Sequence, residues 1–404
     1  MATETIVLEG HIVDSLLLAK VLDLVLEAGA DYRIDEFDLG RSTNDQSRAA
    51  IEVTMADEVA LDALLDELQV HGANRVTNVD AVLVAADQDG VLPTGFYSTT
   101  NLVTEVRIDG HWTAVENPEM DCGIVVAADR SRVRTVPMHR VRTGDLVVFG
   151  HAGVRVTAPS KGRDQRAFEF MNSDVSSEKP KALLLDQVAG RIRAAKQAGG
   201  KVLAVCGPAV IHTGGGPDVA RLVRGGWIDV LFAGNGFATH DMESNVLGTS
   251  LGVSVASGAP TEGGHSNHLR VINELRRHGS IAAAVDAAFV TGGVMYECVR
   301  AGVPFVLGGS VRDDGPLPDT IADVVAAADA MRSLVPGVSV ALMLASTLHA
   351  IATGNLLPAG VETFCVDINQ AVVTKLADRG SHQALGIVTD VGPFTRQLAD
   401  RLCG

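Results

Sequence analysis

Basic residues are in short supply: 33 Lys and Arg stand against 49 Asp and Glu, a formal net charge of −16. A phosphate backbone is held by a basic face, so nucleic acid is excluded as a partner. Cysteine is sparse and unpatterned. Cys122, Cys206, Cys298, Cys365 and Cys403 are odd in number and form no CxxC or metal-like spacing, which argues against a disulfide framework and against a zinc site. They read as small core residues in a reducing compartment, and no metal is expected. Long apolar runs are missing too, since none approaches the ~18 residues of a membrane-spanning helix. The opening MATETIVLEG offers neither a basic n-region nor an apolar h-region, so no signal peptide is expected. The expectation is a cytoplasmic protein with no membrane partner.

What is present is core-forming material. The 404 residues are 47% hydrophobic and 20% charged, enough for two or three domains. Residues 1–87 read as a small α+β module. Thr5–Ile12, Tyr32–Leu39, Ala49–Val53 and Val76–Val84 look like strands, while Ser15–Glu27 and Glu58–Val70 carry apolar residues at helical spacing. The order βαββαβ is that of a ferredoxin-like fold.

Residues 88–180 change texture to short strand-like runs such as Val103–Ile108, Gly123–Ala127 and Asp145–Phe149, a β-rich middle domain. From 181 to 404 the pattern becomes regular. A helix over Ala182–Ala198 precedes strands expected at Val202–Val205, Asp229–Ala233, Ala287–Thr291, Pro304–Leu307, Val338–Leu344, Thr363–Val366 and Gly386–Val388. Near-continuous apolar strands alternating with helices imply a parallel sheet covered on both faces, a doubly wound α/β domain.

Ligands of such sheets lie beyond the carboxyl ends of the strands. There the sequence places Gly214–Gly216, Gly234-Asn235-Gly236, Gly308-Gly309-Ser310, Ser346-Thr347-Leu348-His349, Asp367 and Asp390. Glycines admit a pyrophosphate, helix N-termini donate N–H groups, and an acidic strand end suits a ribose. Each loop taken alone is equally a tight turn with a capping Asn or Asp; six in one sheet favour a nucleotide. No G-x-G-x-x-G opens the first βα unit, because Pro217 follows Gly214–Gly216, so the site is a variant of the Rossmann type.

Upstream, Glu119 and Asp121 stand at i, i+2 in Glu116–Cys122. In an extended segment they would share a face and could bind an ammonium group or move a proton; a solvent-facing acidic turn fits the same spacing. Asn101 closes a second polar cluster, Phe96–Asn101, and Lys179 and Lys181 lie at the domain junction, suited to a carboxylate or simply a solvated hinge.

The strings ENPEMDC, SSEKPK, AGNGFATHD, EGGHSNHLR, MYECVRAGVPFVLGGSVRDDGPLPD, LHAIATGNLLP, VDINQAVVTKLADRG and IVTDVG, in that order, resemble the archaeal-type ornithine cyclodeaminases of the LOR/SDH-domain family. The same module forms the C-terminal part of cyanobacterial bifunctional arginine dihydrolases, and the resemblance spans essentially the whole chain. It implies a deoxyhypusine-synthase-like variant of the Rossmann fold and NAD as cofactor. The implied dinucleotide contacts are Asn235, Gly236, Asp314, Ser346, Thr347, Leu348, His349, Asp367, Asp390 and Val391. The implied reaction converts L-ornithine to L-proline and ammonia by transient oxidation at Cα, ring closure and re-reduction, without the arginine-dihydrolase step. Asp121 or Glu119 is the expected acid/base on the amine side, with the pair His240–Asp241 as the alternative. Lys179 and Asn101 are the expected substrate contacts, and a homo-oligomer is expected. Three other readings stay open: an NAD-dependent amino-acid or saccharopine-type dehydrogenase, a transferase acting on a protein lysine by analogy with the deoxyhypusine-type fold, and a non-enzymatic NAD-binding regulator.

Overall fold

The computed structural model describes residues 1–13, 17–40, 45–76, 79–157, 181–250, 253–254, 266–313, 315–378 and 384–404. These form two units, residues 1–176 with Leu357–Gly360, and residues 177–356 with 361–404.

The first unit opens with β1 (Ala2–Gly10), α1 (Leu17–Glu27), β2 (Asp31–Asp38), β3 (Ser47–Met55), α2 (Glu58–Gln69) and β4 (Asn74–Arg75). The sheet order β2-β3-β1-β4, with β1 antiparallel to both neighbours, is the ferredoxin-like arrangement expected from βαββαβ. Alternation in β3 sends Ala49, Ile51 and Val53 into the core, where Val21 and Val25 of α1 and Leu61, Leu64, Leu65 and Leu68 of α2 cover them. Asp57 starts α2 by accepting from the Val59 amide at 2.9 Å.

The strand expected over Val76–Val84 divides. Asn74–Arg75 completes this sheet, whereas β5 (Val82–Ala85) joins the next. The joint is polar: Asn74 bonds the Val156 backbone through both side-chain atoms, at 2.7 Å each.

The β-rich part contains β6 (Val103–Ile108), β7 (His111–Ala114), β8 (Gly123–Val126), β9 (Val133–Val136), β10 (Leu146–Phe149) and β11 (Val154–Thr157). They form two antiparallel sheets, β5-β10-β8-β9 and β11-β6-β7. Val106, Ile124, Val148 and Val156 from both sheets share one core, which Ala359 joins.

The second unit runs α3 (Lys181–Gln197), β12 (Lys201–Cys206), α4 (Ala209–His212), α5 (Gly216–Arg224), β13 (Val230–Gly234) and α6 (Asn235–Leu247). A two-strand ribbon follows, β14 (Thr249–Ser250) with β15 (Val253–Ser254), then α7 (Asn267–His278), α8 (Ile281–Asp286), α9 (Val294–Ala301) and β16 (Phe305–Gly308). Last come β17 (Thr320–Ile321), α10 (Val324–Leu334), β18 (Val338–Leu344), α11 (Leu348–Leu356), β19 (Glu362–Asp367), α12 (Gln370–Asp378), β20 (Ala384–Val388) and α13 (Val391–Cys403).

Among the described residues the sheet has seven parallel strands, ordered β17-β16-β13-β12-β18-β19-β20. Leaving out edge strand β17, this is the 3-2-1-4-5-6 order of a Rossmann sheet, with its switch point between β12 and β18. The variant Rossmann domain expected from the sequence is therefore observed. One expected strand is not. Ala287–Thr291 is the turn that ends α8: Ala288 has φ +57°, and Phe289 and Val290 both donate to the Ala284 carbonyl. Its apolar residues plug a helix end, which gives the same run of hydrophobics as a buried strand. Among the described residues, no helix is long and apolar enough to cross a membrane.

Candidate functional site

The carboxyl edge of the parallel sheet gathers most of the residues singled out above. Asn235 is the first residue of α6, directly after β13. Its side chain turns inward: Oδ1 accepts from the Leu317 amide at 2.9 Å and the Thr320 hydroxyl at 3.1 Å. Gly236 follows with room to spare, since a Cβ there would meet Pro208 Cγ at 3.6 Å. Ser346 and Thr347 form the turn between β18 and α11, and Leu348 is exposed at the first turn of α11.

His349 leans from α11 over the ends of two strands. A Cβ on Gly308 would lie 3.1 Å from its Cε1, and a Cβ on Gly234 would lie 3.4 Å from its Nε2. These two glycines thus make room for an imidazole. Burial lowers the His349 pKa, with Asp313 pulling the other way, and its buried Nδ1 has no hydrogen-bond partner among the described residues. A buried polar atom left unpaired is costly, and a bound polar ligand would relieve it.

Farther along the edge, Asp367 ends β19, buried, with Oδ1 accepting from the Asn369 amide at 2.8 Å. Asp390 caps α13 by accepting from the Gly392 amide at 2.9 Å, and Val391, the first residue of that helix, is buried. Asp314 and Lys179 lie outside the described residues.

The glycines after β12 serve the protein's own packing. A Cβ on Gly215 would stand 2.7 Å from Thr395 Oγ1, and one on Gly392 would stand 2.4 Å from the Thr213 carbonyl oxygen. The HTGGGP loop is therefore pressed against the start of α13, which accounts for its composition without a phosphate.

Consecutive residues on a helix point about 100° apart, and this separates His240 from Asp241. Asp241 is buried and accepts from the Val294 and Met295 amides at 2.9 and 2.8 Å, capping the N-terminus of α9. Burial pushes its pKa up to about 6 against the opposing pull of those two bonds. Its carboxylate is committed to a helix end, so the expected His240–Asp241 pair does not form.

His240 Nδ1 instead meets Oε2 of Glu243 at 3.0 Å. Glu243 Oε1 accepts from Thr249 Oγ1 at 2.8 Å, which in turn accepts from Asn267 Nδ2 at 2.9 Å. The His212 ring stands edge-on to His240 with centroids 4.8 Å apart, and its Nδ1 meets Ser250 Oγ at 2.7 Å. Burial, with help from His240, lowers the His212 pKa. Glu243 escaped the sequence reading although the i, i+3 spacing after His240 announces such a pair.

In the first unit the expected extended segment is a turn, with left-handed φ at Asn117 and Asp121. Glu119 is buried and Asp121 exposed, so they do not share a face. Glu119 Oε1 accepts from Cys122 Sγ at 3.3 Å, while Thr99 Oγ1 donates to the Glu119 carbonyl at 2.7 Å. Asn101 is buried and holds the returning segment: Nδ2 donates to the Leu357 carbonyl at 3.3 Å, and the Ala359 amide donates to the Asn101 carbonyl at 2.8 Å.

Comparison with known proteins covers the chain end to end. Residues 3–102 match the LOR/SDH bifunctional enzyme conserved region, 103–185 the first region of the ArgZ-like arginine dihydrolase C-terminus, and 186–398 its Rossmann fold. A protein named ornithine cyclodeaminase from Methanocaldococcus jannaschii is 50% identical over 100% of this chain and 96% of its own length. The apo structure of ArgZ, a cyanobacterial arginine dihydrolase, superposes with a TM-score of 0.85 at 38% identity, over 100% of this chain and 58% of that longer one. AgrE in ternary complex with ornithine and NAD⁺ gives a TM-score of 0.54 at 41% identity, over 100% of this chain and 57% of that one. The chain belongs to the archaeal-type ornithine cyclodeaminase family, whose module also forms the C-terminal part of the ArgZ-like proteins.

Proposed function

We propose that this protein is an NAD-dependent ornithine cyclodeaminase that converts L-ornithine to L-proline and ammonia. The observation that carries this reading is 50% identity over the whole chain to a protein of that name. A relative with ornithine and NAD⁺ bound together supports it.

The residues at the carboxyl edge suit a dinucleotide. Nδ1 of His349, without a hydrogen-bond partner among the described residues, offers a hydrogen-bonding position, Asp367 offers a carboxylate at a strand end, and α6 starts at a strand end with no side-chain cap among the described residues. Asn235, Gly236, Ser346, Thr347, Leu348, His349, Asp367, Asp390 and Val391 would hold NAD, together with Asp314. When bound, NAD supplies a reversible two-electron oxidation of the ornithine Cα–N bond. The protein's own task is to hold Cα against the cofactor, to keep water out while the δ-amine closes on the oxidised carbon, and to move protons as ammonia leaves. Residues 88–180 would supply the substrate side, with Asn101 and Lys179 as contacts. Glu119, Asp121 and His240 are the candidates for proton transfer.

The test follows the hydrogen on Cα. Ornithine deuterated there should give proline deuterated at Cα, ammonia in equal amount, and no lasting rise in NADH absorbance. Accumulation of deuterated NADH would make the protein a simple dehydrogenase. Binding of NAD⁺ with no ammonia from ornithine would make it a regulator.

A further inference from the structure

The most elaborate polar network described in the second unit is not at the ends of β18 or β19. It lies beyond β12 and β13, where α4, α6, β14 and α7 converge. Its centre is Glu243, fully buried. A buried carboxylate is costly unless each oxygen is satisfied, and here the network has a direction. Asn267 donates to Thr249 Oγ1, so the Thr249 hydroxyl gives its proton to Glu243 Oε1. The other oxygen, Oε2, receives His240 Nδ1. An ionised carboxylate only accepts, so Nδ1 carries the proton and Nε2 is left as the position that exchanges one.

We infer that His240, held by the positioning residue Glu243, is the proton carrier for the substrate's amines, with His212 beside it as the second member of a relay. This rests on the cyclodeaminase reading. The chemistry calls for such a group: the δ-amine must lose a proton to attack, and the departing α-amine must gain one. One imidazole of fixed tautomer performs both steps without net change.

Two further features fit. The His240 side chain is 12% exposed, sheltered yet reachable. The His212 ring stands 4.8 Å away, and its burial, with His240 beside it, lowers its pKa. The titratable groups described around His240 are Glu243 on its own helix, His212 on α4 and His268 on α7, whose ring is 6.4 Å away; Asp241 is turned to α9.

The variants are H240N, E243Q and E243D in the full-length protein. An Asn amide reproduces the Nδ1–H donor toward Glu243 while deleting Nε2, so H240N should keep the network and the fold. It should lower kcat by about 100-fold or more, with KM for ornithine and Kd for NAD⁺ little changed. E243Q should lower kcat by roughly tenfold with KM for ornithine little changed, because the carboxylate that fixes the Nδ1–H tautomer is lost; E243D should restore part of kcat.

Imidazole ¹⁵N NMR of the NAD-free protein should show His240 protonated on Nδ1 in the wild type and a mixture of tautomers in E243Q, whatever the substrate proves to be. A wild-type protein that makes no proline would overturn the cyclodeaminase reading and not the His240–Glu243 coupling, which the tautomer reads separately. A wild-type kcat in H240N, or an unchanged tautomer and kcat in E243Q, would overturn the inference. Should E243Q fail to fold, H240N alone decides it.

Discussion

Gly207 and Ala345 meet across the switch point of the sheet so closely that a Cβ on Gly207 would stand 1.8 Å from the Ala345 carbonyl oxygen. Ala345 itself takes a left-handed φ of +46°, rare for a residue with a Cβ. The two strand ends at the switch point, those of β12 and β18, are thus locked together by backbone contact.

Gly207→Ala should therefore be strongly destabilising, by roughly 2 kcal/mol or more, since backbone rather than a flexible side chain must move. Gly236→Ala meets only an ordinary contact and should melt within a few degrees of wild type. Its NAD⁺ affinity, measured by calorimetry, should nevertheless fall if the start of α6 lies against the dinucleotide. An unchanged affinity would remove Gly236 from the cofactor site.

Asp241 makes stability depend on pH in the direction opposite to a paired surface carboxylate. Its folded pKa, about 6, lies above the ordinary value, so the native state holds the proton more tightly than the unfolded one. The contribution of this group is then greatest below about pH 4, declines as pH rises to about 6, and is flat above. Asp241→Ala should erase this dependence from denaturant-melt stabilities between pH 4 and 7. It should also cost about 2 kcal/mol, by leaving two buried amides at the start of α9 without an acceptor.

Asp367→Ala should weaken NAD⁺ binding by roughly 1.5–3 kcal/mol, the worth of a charge-assisted hydrogen bond, while leaving the melting temperature close to wild type. Equal dinucleotide affinity in the two proteins would show that Asp367 only shapes the turn through the Asn369 amide.

Periodicity made the architecture readable. Alternation in β3 and the apolar strands of the parallel sheet announced both α/β layers, because burial on one or both faces leaves a regular trace in sequence. The two misplacements have different causes: Val82–Ala85 pairs with Leu146–Phe149 far along the chain, while the apolar residues of Ala287–Thr291 turn back onto the helix just before them, and periodicity distinguishes neither from the strand expected there.

Site residues were harder for a related reason. The sequence placed His240 beside Asp241, but a helix turns neighbours apart and brings Glu243 round instead. It aligned Glu119 with Asp121, but left-handed residues fold that segment into a turn. It offered the glycines of the HTGGGP loop to a phosphate, whereas Gly215 is required by Thr395 and Gly214 by its left-handed φ of +78°. Residue type pointed to the right neighbourhood, and backbone direction decided which atoms meet.

The return of Leu357–Gly360 to the first unit has a consequence for how such a gene can be cut. The chain passes between the units three times, so no single break point in the coding sequence separates them. A clone of residues 181–404 alone would leave Leu357, fully buried in the intact protein, without the Asn101 amide that donates to its carbonyl. Recombination that exchanges the N-terminal half for a relative's must import a half able to accept these four residues.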